Sequence, residues 1–380
     1  MLTRRALAYT LLSLAALLAL AALIRRYQPA DYTARWLLLA LAAHSLTLVT
    51  LWRNLHRNHP PQTPTAVYPT LGIPNLVSLW RAVLIASAAG FLTLPQPGGA
   101  LLWLPGVLYA LGVLPDYIDG YLARITRRTT PLGETLDVST DSLAVLSGTL
   151  LLVQYRQVGA WYLLVGFARY LYLAGLWLRQ KRRQPIYPLP PNLSRRALAG
   201  AQMGLTLALL LPLFKPPATN LAALLFSLPF LYNFWRDWRF ASGTAQPQPA
   251  APAPRWLNRL ALPAVRLYTA AFLIYIGIQT HFLADVLPPQ ALLFPQILLP
   301  LLLLLHLWVT FSLGLGFLAR TASILALGLL GLHLRFGHPL TPGLIAALLC
   351  SLLTLFGGSG NFSLWHPEDE LLQRRAGDSA

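Results

Sequence analysis

Apolar runs free of Asp, Glu, Lys and Arg recur along the whole chain, among them residues 11–24, 37–52 and 297–311. A helix that crosses a bilayer needs about 20 mostly apolar residues, and runs of this kind predict membrane spans. Twelve segments qualify, at about 6–24, 36–52, 76–94, 100–126, 132–154, 159–177, 197–214, 220–235, 265–282, 291–311, 322–334 and 340–356. The expectation is an all-α integral membrane protein with about 12 transmembrane helices. A basic start and an apolar run also fit a signal peptide for the first segment, but it is long and no small-x-small cleavage site precedes Arg25, so a retained helix is expected.

Breaks in the pattern divide the chain. Residues 1–59 hold two apolar segments bracketed by Arg4, Arg5, Arg25, Arg26 and Arg53, and read as an N-terminal transmembrane hairpin. A Pro-rich polar stretch at 60–69 opens a six-span block, 60–243, whose loops carry Pro95, Gly98, Gly99, Pro185, Pro188, Pro216 and Pro217. The run QPQPAAPAP within 244–255 has the composition of a semi-rigid linker. Residues 256–380 then give a four-helix membrane domain with a polar tail.

Composition sharpens this picture. Only 11% of the 380 residues are charged, where a soluble protein averages about 25%. The balance is lopsided, with 29 Lys and Arg against 12 Asp and Glu, a formal net charge of +17. In a membrane protein such an excess marks cytoplasmic loops and attracts anionic headgroups and phosphates, and it calls for no nucleic-acid partner. Basic loops at 124–128, 179–196 and 236–266 alternate with weakly charged ones near Pro95, Gln157, Pro216 and Pro288, and the basic set is expected in the cytoplasm. A single cysteine, Cys350, excludes internal disulfides and thiolate-cluster metal sites. His281, His306, His333 and His338 lack ligand spacing and are expected at loops or helix edges.

Carboxylates are expensive near hydrocarbon, so their placement carries information. Five of the 12 fall between Asp116 and Asp141. Asp116 and Asp119 are spaced i,i+3 and Asp137 and Asp141 i,i+4, so each pair projects from one helical face, about one turn apart. The intervening Arg127-Arg128-Thr-Thr-Pro131 reads as a turn, which makes the two helices antiparallel neighbours whose acidic faces meet. Four converging carboxylates repel one another unless cations neutralise them, and all-oxygen donors without Cys or His suit two hard divalent ions, Mg²⁺ or Mn²⁺. Solvated helix ends, or partners of Arg127 and Arg128, are the plainer alternative. Gly120 and Ala123 leave room for a ring or sugar to approach the backbone, and the planar fork of Arg124 suits a phosphate.

The string D-x2-D-G-x2-A-R-x8-G-x3-D-x3-D, from Asp116 to Asp141, resembles position for position the signature of the CDP-alcohol phosphatidyltransferases. Pro74-Asn75-Leu76-Val77-Ser78-Leu79-Trp80-Arg81 is similar to the P-N-x-[LI]-[ST]-x-x-R stretch that starts the family's first core helix, with Val77 where Leu or Ile is usual. The resemblance covers roughly residues 60–240 and implies a six-helix core. It implies that Asp116, Asp119 and Asp137 hold two divalent metals, with Asp141 in the metal shell and acting as general base. Gly120 and Ala123 would line the cytidine pocket, Arg124 would hold the diphosphate, and Asn75 would lie on the nucleotide side. The implied reaction moves the phosphatidyl group of a CDP-alcohol such as CDP-diacylglycerol to an acceptor hydroxyl and releases CMP, at the cytoplasmic surface of the cell membrane.

Acceptor recognition in the family uses basic residues near the cytoplasmic ends of later core helices, here Arg169, Arg195 and Arg196. Glycerol-phosphate-using members often carry Lys after the last motif Asp; here that residue is Ser142, and Glu134 follows the motif Gly. That departure argues against a glycerol-phosphate acceptor and leaves inositol-phosphate-type, archaetidyl-type or amino-alcohol acceptors open. The resemblance also implies a homodimer. The C-terminal block closes on Gly357-Gly-Ser-Gly360-Asn-Phe-Ser-Leu364-Trp, which is similar to the ending of DoxX-like four-helix membrane proteins. The competing readings are a non-catalytic membrane scaffold and a redox-linked membrane subunit.

Overall fold

The computed structural model describes residues 1–62, 66–115, 129–190, 194–245, 256–279, 295–335 and 338–365. The described residues form twelve α-helices and no strands: α1 Leu2–Arg25, α2 Ala30–Asn54, α3 Ile73–Ala89, α4 Leu104–Val113, α5 Pro131–Gln154, α6 Leu163–Lys181, α7 Ser194–Leu210, α8 Ala218–Ala241, α9 Leu262–Gln279, α10 Pro295–Leu315, α11 Ala319–Arg335 and α12 Pro342–Gly357. Five stretches among them are long and apolar enough to cross a membrane: Leu2–Arg25, Ala30–Arg57, Pro131–Gln154, Ala160–Lys181 and Leu257–Ile278. Several others fall short of 18 residues, α3 among them. Most of α3 is buried in protein, so small residues such as Ala82, Ala86, Ser87, Ala88 and Ala89 take the place of a lipid-facing Leu surface.

The chain divides into two compact units, one of Met1–Leu189, Ser194–Leu213 and Ala222–Ala245, the other of Pro190–Leu193, Phe214–Leu221 and Gln246–Ala380. In the first, α1 buries Ala6, Tyr9, Ser13, Leu17 and Ala21 at helical spacing and turns Leu7, Leu11, Leu12 and Leu18 outward. Small and polar residues inside with leucines outside is the pattern of a helix whose solvent is lipid. The hairpin α1–α2 is fastened to α3. The Tyr9 hydroxyl donates to the Leu79 carbonyl at 2.8 Å, the Trp36 indole donates to the Ser87 carbonyl at 3.2 Å, and a Cβ on Gly90 would collide with the Trp36 ring. Between the two hairpin helices, His44 Nε2 lies 2.8 Å from the Ser13 hydroxyl.

Helix α5 is the hub of this unit and packs against α2, α3, α6 and α7. Close approach is possible because its middle turns bury small residues, Thr140, Ala144, Ser147, Gly148 and Thr149. At Gly148 a side chain would strike Tyr109 of α4 and Thr206 of α7. Farther out, α6 and α8 meet through Gly175 against Trp238, and the Tyr172 ring packs edge-on against Phe234 and Trp238.

Among the described residues of the second unit, α9 packs on α10 and α12, and α11 packs on α10 and α12. The buried Arg266 guanidinium donates to the carbonyls of Ser359 at 2.7 Å and Phe362 at 3.0 Å, clamping the Gly-rich ending. One histidine departs from expectation: His306 lies buried in the middle of α10, where its Nε2 sits 3.1 Å from the Leu273 carbonyl. His333, in the last turn of α11, is also buried and stacks on His338 of the following loop, with ring centroids 4.0 Å apart. His281 lies outside the described residues.

Candidate active site

The start of α5 is specified locally. Thr130 is the N-cap, its hydroxyl accepting from the Gly133 amide at 3.0 Å; Pro131 occupies the first turn, where its missing N–H costs nothing, and Glu134 complements the helix dipole. Asn75, near the start of α3, ties this turn to the hairpin. Its amide donates to Asn58 Oδ1 at 3.1 Å and to Thr130 Oγ1 at 3.2 Å. Asn58 is fully buried and its own amide donates to the Thr70 carbonyl at 2.9 Å. The motif glycine has a steric reason: a Cβ at Gly133 would overlap Asn75 Oδ1. Asn75 is thus 3% exposed, with its polar atoms engaged inside the protein.

One turn and two turns beyond Gly133, Asp137 and Asp141 project from the same face of α5. Between them and α3 lies Arg81. Its Nη1 is 2.9 Å from Asp137 Oδ1, its Nη2 is 3.0 Å from Asp141 Oδ1, and its Nε donates to the Gly112 carbonyl of α4 at 3.1 Å. Arg81 is 2% exposed, whereas the two aspartate side chains keep 34% and 31% of their surface open. One guanidinium therefore joins three helices and forks between two carboxylates, the geometry its planar donor set favours. Gly112 permits this approach, since a Cβ there would run into Ile85.

Asp116, Asp119, Gly120, Ala123 and Arg124 lie outside the described residues, as does the Arg196 side chain. Among the described residues no group of three or more His, Cys, Asp and Glu is placed to hold a metal ion. Asp137 and Asp141 supply two carboxylates on one face, partly open, and these are donors of the kind a hard divalent ion takes. Of the basic candidates, Arg195 is engaged: Nε meets Asp237 Oδ2 at 2.6 Å and Nη2 meets Oδ1 at 3.2 Å, which ties α7 to α8. Arg169 is half-buried in α6 and makes no hydrogen bond or ion pair with the described residues. It lies one turn along from Gly166, which packs on Thr149 of α5. Ser142 is half-buried, its hydroxyl donating to the Val138 carbonyl of its own helix at 2.6 Å.

Two contributors escape sequence reasoning. Arg81 belongs to the P-N-x-[LI]-[ST]-x-x-R stretch and is a lone charge in α3, so a signal existed. Asn58 carries none, because its role depends on contacts 12 and 17 residues away.

Residues 71–233 match the CDP-alcohol phosphatidyltransferase family. Three similar proteins bear the name CDP-diacylglycerol--glycerol-3-phosphate 3-phosphatidyltransferase. The one from Pseudomonas fluorescens is 32% identical over 160 residues, 41% of this chain and 78% of the relative. That from Mycoplasma pneumoniae is 31% identical over 31% of this chain and 53% of its own length, and that from Bacillus subtilis is 30% identical over 28% and 60%. No solved structure matches significantly. With a family match across the helices that build the site, and a relative aligned over most of its length, the chain belongs to the CDP-alcohol phosphatidyltransferase family and is a membrane-embedded transferase.

Proposed function

We propose that the protein transfers the phosphatidyl group of CDP-diacylglycerol to an acceptor alcohol, with Asp141 as general base. The observation that carries this reading is the carboxylate face of α5, where Asp137 and Asp141 stand side by side, partly open, at the end of a helix fixed by Thr130, Asn75 and Arg81. In the reaction the acceptor oxygen forms a bond to the lipid-side phosphorus, its proton passes to the Asp141 carboxylate, and the bond to the CMP oxygen breaks with CMP taking the electron pair. Asp116, Asp119, Asp137 and Asp141 would hold two Mg²⁺ or Mn²⁺ ions, which when bound supply charge stabilisation for the diphosphate and leaving group. Gly120, Ala123 and Arg124 receive the cytidine diphosphate by motif position. Asn75 supports the site from behind through Gly133.

For the acceptor, the relatives' names favour glycerol 3-phosphate, against the departure at Ser142. Arg169 is the preferred cation for the acceptor's phosphate, since Arg195 is held by Asp237. The basic loops support a site on the cytoplasmic face. A homodimer, implied by family resemblance, belongs to the same reading.

The test is CMP release by the purified protein from CDP-diacylglycerol with Mn²⁺ or Mg²⁺ and a panel of alcohols, with mass spectrometry of the lipid formed. Metal-dependent release with glycerol 3-phosphate, lost on chelation, is expected. Absence of release with every alcohol would overturn the proposal.

A further inference from the structure

Arg81 is among the largest fully buried side chains of the protein. Burying a guanidinium is costly unless its charge is compensated, and the compensation comes from Asp137 and Asp141, each giving Oδ1 to one arm of the fork. The pair needs Arg81 in turn, because carboxylates one helical turn apart repel. The cation that balances this part of the site is therefore built into the chain, and it occupies carboxylate oxygens that a metal ion would also seek.

We infer that Arg81 is a positioning residue that serves as a resident counter-cation: it holds Asp137 and Asp141 in place in the metal-free enzyme and competes with divalent ions for them. The inference rests on the proposed reading of these aspartates as metal ligands. Two consequences follow from simple electrostatics. Without Arg81 the metal-free protein loses the cation that faces both carboxylates, and with it stability. With metal bound, the same removal relieves repulsion between a fixed positive charge and the ions, so the ions bind more tightly. Arginine at this position thus trades metal affinity for a site that stays folded and exchanges its ions.

The experiment compares full-length wild type, Arg81→Gln and Arg81→Lys in detergent. Mn²⁺ titration is followed by the electron paramagnetic resonance signal of free Mn²⁺, and Tm is measured with and without saturating Mn²⁺. In Arg81→Gln the Mn²⁺ Kd is expected to fall about threefold or more, and Tm to drop without metal but recover with it. In Arg81→Lys, where the charge remains, Kd is expected within about twofold of wild type. Unchanged or weaker Mn²⁺ binding by Arg81→Gln would overturn the inference while leaving the metal reading intact. So would an equal Tm loss with and without Mn²⁺, which is the mark of a packing role, or failure of Arg81→Gln to fold even at saturating Mn²⁺. Wild type that binds no Mn²⁺ would overturn the metal reading, and this inference with it.

Discussion

Among the described residues each compact unit buries one arginine almost completely, Arg81 in the first and Arg266 in the second, and the two solve the problem differently. Arg81 forks between two partly open carboxylates and takes one backbone carbonyl. Arg266 meets only backbone carbonyls among the described residues, those of Ser359 and Phe362, and its Nε is buried without a partner. Gly316, at φ +70°, leaves the space that the Arg266 guanidinium fills. Backbone carbonyls carry no net charge, so Arg266 is a staple that fastens the Gly-rich segment onto α9. Carboxylates carry charge that other cations can share, so Arg81 belongs to a site.

That contrast can be broken or sharpened by substitution. The largest effect on stability is expected at the staple. Arg266→Met removes two charge-assisted hydrogen bonds and should cost about 3 kcal/mol, read as a fall in Tm that Mn²⁺ does not recover. A metal-dependent recovery would erase the difference between the two arginines. In the first unit, Gly133→Ala drives a methyl into Asn75 and should cost about 1–3 kcal/mol, with CMP release falling because the first turn of α5 shifts. Arg169→Gln is expected to raise the acceptor KM about tenfold, the worth of one charge-assisted hydrogen bond, without changing the KM for the CDP-lipid. An equal rise for both substrates would remove Arg169 from the acceptor side. Smallest of all, Thr130→Ala should cost about 1 kcal/mol by uncapping α5, measured as a lower Tm at unchanged Mn²⁺ affinity.

Much of the fold was legible because in a membrane the solvent itself imposes long apolar runs, and the helices from α1 to α12 fall on those runs. Lengths were less legible. The stretch predicted at 76–94 is a buried helix ending at Ala89, since its small residues face protein and Gly90 must pass the Trp36 ring. Within the site, i,i+4 spacing alone placed Asp137 and Asp141 on one face. Their partner Arg81 lies 56 and 60 residues away, and no local pattern predicts which buried cation a carboxylate will meet. The same holds for Asn75, whose buried amide serves Asn58 and Thr130, and for Arg195, whose guanidinium is taken by Asp237. Cations assigned to a substrate by their place in a motif compete with long-range partners visible only once the helices are packed.

If Asp141 on the carboxylate face of α5 takes the acceptor proton, its amide variant should bind substrates and fail to turn them over. CMP release from CDP-diacylglycerol and glycerol 3-phosphate, compared between wild type and Asp141→Asn at saturating Mn²⁺ and equal Tm, measures this. Loss of a general base predicts a kcat lower by about 10²- to 10⁴-fold. Release by Asp141→Asn at the wild-type rate would rule out Asp141 as the general base.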